Sequence, residues 1–269
     1  MICSVRTGRA ALFPGEEDGT AVNDLSIGIS GVMSIEQIMF NKIFLFSSIY
    51  NHHKIEAVDC MFRGVFEYIH ENKLKIKINS KKFDFESPIS FLKFSEYDFY
   101  ALADFEDDHV LSMMVKNILN RNLLKRAVII NESTAGMPNE EYLLFVDTLA
   151  NRTDQSINLR EMVRDIVDGT SIDCSLHEIW IDIPKEPNLG NGKNTFVRVY
   201  KGDNERFEPI SNFFPIPQFG DLYRNNKRSF YVLCPEQYLQ KVATATKVYF
   251  KEKLNVDLKE SAFPYGTLD

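Results

Sequence analysis

Several absences narrow what this 269-residue chain can be. Its four cysteines, Cys3, Cys60, Cys174 and Cys234, are widely spaced and form no CxxC pair, so neither a zinc ribbon nor a redox motif is expected. Basic excess is missing as well. Lys and Arg number 31 against 38 Asp and Glu, for a net charge of −7, which argues against a strong nucleic-acid binder. No apolar run of spanning length and no signal-type segment near Met1 is present, so a soluble, cytoplasmic protein with no membrane partner is expected. There is no GxSxG elbow. The one glycine-rich turn, Gly190-Asn191-Gly192-Lys193, lacks the spacing of a P-loop or dinucleotide fingerprint. No internal repeat or low-complexity tract occurs.

What is present is 44% hydrophobic, enough for a sizeable core. The organising stretch runs from Met33 to His70 and reads as two consecutive helices. Ser34 and Gln37 have capping-box spacing, which predicts a start at Ile35. Apolar residues from Ile35 to Ile49 cover nearly every face, the mark of a buried helix. Asn41, Lys42, Ser47 and Ser48 make it too short and too interrupted to span a bilayer. The second helix is amphipathic through Val58, Met61, Phe62, Val65, Phe66 and Ile69. Between the two lies Tyr50-Asn51-His52-His53-Lys54, either a ligand site or a plain helix corner whose histidines face water.

Further along, Lys73 to Ile78 alternates as a half-exposed strand whose lysine face serves phosphates or simply solvent. Glu96–Phe105 reads as a short acidic, aromatic helix. Asp108 can cap a helix reaching about Leu124, with Arg121, Lys125 and Arg126 at its end; helix-dipole compensation is one account of those cations. Ala127–Ile130 reads as a buried strand, 140–150 and 159–167 as helices, 178–183, 195–200 and 229–233 as strands, and 237–254 as a closing helix. The expected fold class is α+β: an irregular segment at 1–24, a mainly helical lobe with a buried helix pair at 25–135, and a mixed α/β lobe at 136–269.

Four motifs in order resemble the C-terminal part of HD-domain phosphohydrolases. These are Lys42 with Tyr50-x-His52-His53-Lys54; Arg121-Asn122-Leu123-Leu124-Lys125; Asp182-Ile183-Pro184-Lys185-Glu186-Pro187; and the step from Phe230 to Tyr238. The branch resembled is the dNTP triphosphohydrolase-like one, which includes the SAM-and-HD-domain enzyme and its bacterial relatives. The family's metal site uses a His, a His-Asp dyad and a distant Asp. This chain has no His-Asp dipeptide, and its five histidines are His52, His53, His70, His109 and His177.

The resemblance therefore implies the part that follows the catalytic half. It implies no catalytic residue and no metal ligand here, and a divalent metal only with a catalytic half. Lys42 and Tyr50 would flank the substrate. His52, Arg121, Lys125 and Lys201 would meet nucleotide phosphates, the second account of the Arg121–Lys125 cations. The implied partners are a purine (deoxy)nucleotide and an oligomer, either of this chain or with an HD catalytic chain. The alternative is an oligomerisation or protein-interaction module that kept the fold and lost the chemistry.

Overall fold

In the computed structural model the described residues are 3–6, 24–78, 80–150, 159–169, 172, 174–184, 196–201, 204–215, 218–221 and 228–268. They form two compact units, 1–50 with 185–228, and 51–184 with 229–269. The fold is α+β. The lobe boundary expected at 135/136 falls inside the second unit, and the glycine turn at 190–193 lies outside the described residues.

The first unit holds a sheet in the order β1 (Cys3–Arg6), β2 (Asp24–Gly28), β7 (Phe196–Lys201), β8 (Asn204–Pro209). β2 runs parallel to β7 and the other pairs are antiparallel. Helix α1 (Val32–Leu45) and a π-helical turn, Phe46–Tyr50, follow β2. The helix starts three residues before the expected Ile35, behind a Gly31 that supplies no side-chain cap, so the Ser34–Gln37 spacing is not used as a box. Nor is α1 a buried helix. Ile35, Met39 and Ile43 pack on a small core of Ile27, Val32, Val197, Ile210 and Phe214, while Phe44 is 65% and Ile49 47% exposed. An all-round apolar sequence says only that burial would be favourable; this unit has one layer to offer and uses one stripe. With its flanking turns the helical run Ile29–Tyr50 spans 22 residues, long and apolar enough to cross a membrane by length and composition.

The second unit is built on α2 (His53–Glu71). One part of its buried face, Val65 and Ile69, joins the hairpin β3 (Lys75–Ile78) and β4 (Lys81–Asp84), together with α4 (Glu96–Ala101) and α5 (His109–Leu119). Alternation in β3 is as expected, with Ile76 and Ile78 inward and the lysines outward. The other part, Ala57, Cys60 and Met61, packs against Trp180 and Leu233. Those two belong to a three-stranded antiparallel sheet, β5 (Lys125–Ile130), β9 (Phe230–Cys234), β6 (Trp180–Asp182). Behind the sheet the largest core gathers α7 (Asn139–Ala150), α8 (Leu159–Asp168) and α9 (Leu239–Lys253), with Tyr142, Phe230 and Phe250 at its centre. α3 (Pro88–Lys93) and α6 (Glu132–Ala135) are short connectors. Cys60 and Cys234 are buried free thiols, as their apolar settings imply.

Gly64 in the middle of α2 explains how closely that helix docks. A Cβ there would meet the His177 carbonyl oxygen at 2.3 Å. Glycine ordinarily costs a helix interior about 1 kcal/mol against alanine, so its presence marks a contact that alanine would break. Next to it Arg63 reaches from α2 to the Asp182 carboxylate at 2.8 Å, with Asp59 at 3.2 Å. Arg63 and Arg160 also flank the indole of Trp180, at 5.0 and 4.3 Å.

Two outcomes are expected, both read in urea melts by the fluorescence of Trp180, the single tryptophan of the chain. Gly64→Ala destabilises the second unit by about 1–3 kcal/mol, since overpacking against a backbone atom outweighs the gain in helix propensity. Equal or higher stability would show that the helix can back away. Arg63→Ala costs about 3 kcal/mol, the lower end for breaking a buried pair, because Asp182 is buried while Arg63 is partly exposed.

Candidate functional site

The start of α2 and the start of β5 converge on a cleft of about 740 Å³ in the second unit. Its polar wall carries His53, Lys54, Arg121, Lys125 and Arg126, and Asp59 is the one acid lining it. Its lining also includes the apolar side chains of Val58, Phe62, Ile118, Leu123 and Leu124, and Tyr265. A groove of about 570 Å³ beside α8 and α9 differs in kind. Asp165, Asp168 and Glu252 face Lys241 and Lys253 there, so it has no preferred sign.

Local structure explains each cation's place. His52 is the N-cap of α2, its Nδ1 accepting from the Lys54 amide at 3.3 Å. It is therefore not on the helix with His53, and the two rings lie side by side with centroids 4.4 Å apart rather than diverging. The helix from Asp108 is capped as expected, with the carboxylate accepting from Leu111 N at 2.9 Å, but it ends at Leu119 instead of about Leu124. Its stop is a Schellman turn: Asn122 N donates to Asn117 O and Arg121 N to Ile118 O. Arg121 thereby holds the left-handed position, φ +56°, where glycine is usual. Lys73 closes α2 in the same way, so the turn is this fold's common helix stop. Lys125 and Arg126 then open β5 and are strand residues. Dipole compensation cannot account for them, since the field of a helix end fades within its last turn.

These charges act on one another. Burial first, and then Arg126, His52, Lys54 and Lys125, lower the pKa of His53 below its ordinary value. The wall is thus a concentrated positive field in which a proton is disfavoured and an anion favoured. Lys125 is 3.9 Å from Glu236, and the Arg126 guanidinium lies over the Tyr231 ring at 5.6 Å.

Of the six residues singled out in the sequence, Arg121 and Lys125 line this cleft and His52 stands beside it against His53. Lys42 lies on α1, and Tyr50, exposed and edge-on to Phe46, closes the turn after it; both belong to the first unit. Lys201 ends β7 in that unit, and its side chain is outside the described residues. Sequence reasoning did not assign the cleft His53, Lys54 or Arg126. The run Lys125-Arg126 opening an apolar strand was the available signal for the last.

A second, acidic cluster is built around Asp182. Asp182 is 4% exposed; its Oδ1 accepts from Arg63, and its Oδ2 is sealed from solvent without a fixed donor. Glu56, on α2, feels its charge. Burial, then the charge and hydrogen bond of Asp182, then Asp59 push Glu56 up to about 8, with Arg63 opposing. Burial pushes the Cys60 thiol far up as well, so it is not a nucleophile. Among the described residues no three His, Cys, Asp or Glu side chains come together as a metal site.

The model of the HD-associated region matches residues 19–261. No curated protein matches the chain. Among solved structures, it is similar to a hypothetical protein from Aquifex aeolicus (12% identity, TM-score 0.45, 83% of this chain and 47% of that one). It is also similar to a phosphohydrolase from Bacteroides thetaiotaomicron (15% identity, TM-score 0.47, 81% of this chain and 53% of that one). The chain thus spans about half the length of either. The family match runs over most of the chain's length, and the chain belongs to the HD-associated region family.

Proposed function

We propose that this chain is the nucleotide-binding, regulatory part of an HD-type phosphohydrolase-like protein of the dNTP triphosphohydrolase-like branch, acting with an HD catalytic domain rather than alone. The observation that carries this reading is the convergence of His53, Lys54, Arg121, Lys125 and Arg126 on one cleft that also has apolar lining. Separated Lys and Arg donors suit a chain of phosphates, and apolar lining suits a base. His52 adds a third contact from the residues first singled out. Lys42 and Tyr50, on the first unit, are assigned to the substrate of the HD domain, and Lys201 to a phosphate there. Membership of the HD-associated family supports a partnership with such a domain. No hydrolytic step is assigned to this chain in this reading.

One observation favours a second reading, an oligomerisation or protein-interaction module. Met33, Phe44 and Leu45 of α1, with Ile49 and Tyr50 of the π-helical turn, leave apolar surface exposed. A clean monomer in light scattering that binds little hydrophobic dye would count against it.

Thermal melts with GTP, dGTP, dATP and tripolyphosphate test the first reading. Ligand at about 100 times its Kd adds about 2.7 kcal/mol to a protein that binds it only when folded. The shift is expected to vanish in Arg126→Ala. Arg121→Gly separates binding from folding: it relieves a left-handed non-glycine residue and raises stability by about 0.5–1 kcal/mol, yet weakens the nucleotide shift. No shift with any of the four ligands would leave the interaction module. Purified chain with Mg²⁺ or Mn²⁺ is expected to release no tripolyphosphate from dGTP; release that Tyr50→Ala abolished would overturn the assignment of a non-catalytic role.

A further inference from the structure

The cation-lined cleft of the second unit is built for more than a chain of phosphates. Its volume of about 740 Å³ lies in the range of pockets that hold drug-sized organic ligands. Val58, Phe62, Ile118, Leu123 and Leu124 line it and offer nothing to a phosphate oxygen. One further lining residue, Tyr265, arrives from a separate part of the chain, the segment that follows α9.

Main-chain contacts put Tyr265 there. Its carbonyl accepts from the side-chain amide of Gln240 on α9 at 3.4 Å. Gly266 follows in the left-handed region, φ +74°, which turns the chain, and its N–H donates to the Phe263 carbonyl at 3.1 Å. Leu268 N then donates to the hydroxyl of Thr244, again on α9, at 2.8 Å. On the other side Ala262 and Phe263 are buried in the largest core. The segment is thus anchored before and after Tyr265, and no anchor uses its ring. That side chain is 50% exposed, and among the described residues it makes no ring contact and no hydrogen bond.

An aromatic ring with a fixed backbone and an unused face, in a cleft of cations, has the attributes of a stacking platform. Stacking accepts any base, because every base has a π-face. A platform whose backbone is set before binding has less left to order when the ligand arrives. We propose that Tyr265 stacks on the base of a nucleoside phosphate whose phosphates are held by Lys54, Arg121, Lys125 and Arg126, so that the cleft selects nucleotides over inorganic polyphosphates. This rests on the reading of the cleft as an anion site and adds the residue that sets its ligand class.

A ring that served only the fold would behave differently. Removing it would lower the melting temperature of the empty protein and weaken every ligand of the cleft together. A stacking ring is felt by the ligand that carries a base and by no other. Because the anchors are main-chain groups and side chains of α9, they survive substitution at Tyr265.

The experiment measures the affinity of the full chain for dGTP and for tripolyphosphate in the wild type, Tyr265→Ala and Tyr265→Phe, with melts of the empty proteins alongside. Tyr265→Ala is expected to weaken dGTP by about fivefold to a hundredfold, the range for removing an aromatic from under one base, and to leave tripolyphosphate unchanged. Tyr265→Phe keeps the π-face and is expected to keep dGTP affinity. If Tyr265→Ala melts early, Tyr265→Leu, which keeps apolar bulk without a π-face, makes the same comparison. Unaltered dGTP affinity in the variant without a ring, or equal weakening of both ligands, overturns the proposal and leaves the cleft an anion site. So does a wild-type chain that holds tripolyphosphate more tightly than dGTP. Absence of binding of either ligand to the wild type overturns the anion site and the proposal together.

Discussion

Arg63 reaching the buried carboxylate of Asp182 is the contact on which the larger unit depends. A charge as deeply enclosed as Asp182 is tolerable only with a cation and further hydrogen bonds, and Arg63 supplies the cation from α2. The same guanidinium lies against Trp180, whose indole donates to the His177 carbonyl at 2.8 Å. That carbonyl is the atom that leaves no room for a side chain at Gly64. One turn of α2 is thereby locked to β6 and to the turn before it by an ion pair, a cation–π contact and a steric limit. Each of them requires the others to be in place.

The cleft follows from that docking. With α2 fixed on the sheet, its first turn must overhang the start of β5, the strand that pairs with β9 beside β6. His53 and Lys54 come from the first turn; Lys125 and Arg126 come from the strand. Arg121 arrives because α5 stops in a left-handed turn instead of running on. Burial lowers the pKa of His53, and Arg126, His52, Lys54 and Lys125 add to that lowering. Like charges so placed repel one another, and an anion in the cleft would relieve that repulsion.

Periodicity made much of the fold legible. β3 alternated and proved half-buried; the spans read as helices at 140–150 and 159–167 are α7 and α8 to within a residue; Asp108 caps α5. What escaped was decided by tertiary context. The Ser34–Gln37 spacing looked like a box, but α1 begins three residues earlier, where the chain leaves β2. Apolar residues all round α1 implied burial, and a one-layer unit gave burial to a single stripe. The site divided the same way. Arg121 and Lys125 were visible through a short motif, and Arg126 only as a neighbour. The Glu56–Asp182 pair, brought together from α2 and β6, could not be seen, because nothing in a sequence reports which carboxylates meet across elements.

The net charge of −7 and the cationic cleft are not in conflict, and their combination narrows the ligand. At physiological ionic strength, charges more than about 8 Å apart across solvent are largely screened from one another. An anion inside the cleft would sense Lys54, Arg121, Lys125 and Arg126 together with Asp59, and little of the acidic surface beyond. A long polyanion cannot stay within that distance, so it meets the acidic remainder of the molecule. Compact anions with two to four charges gain the local field without that penalty.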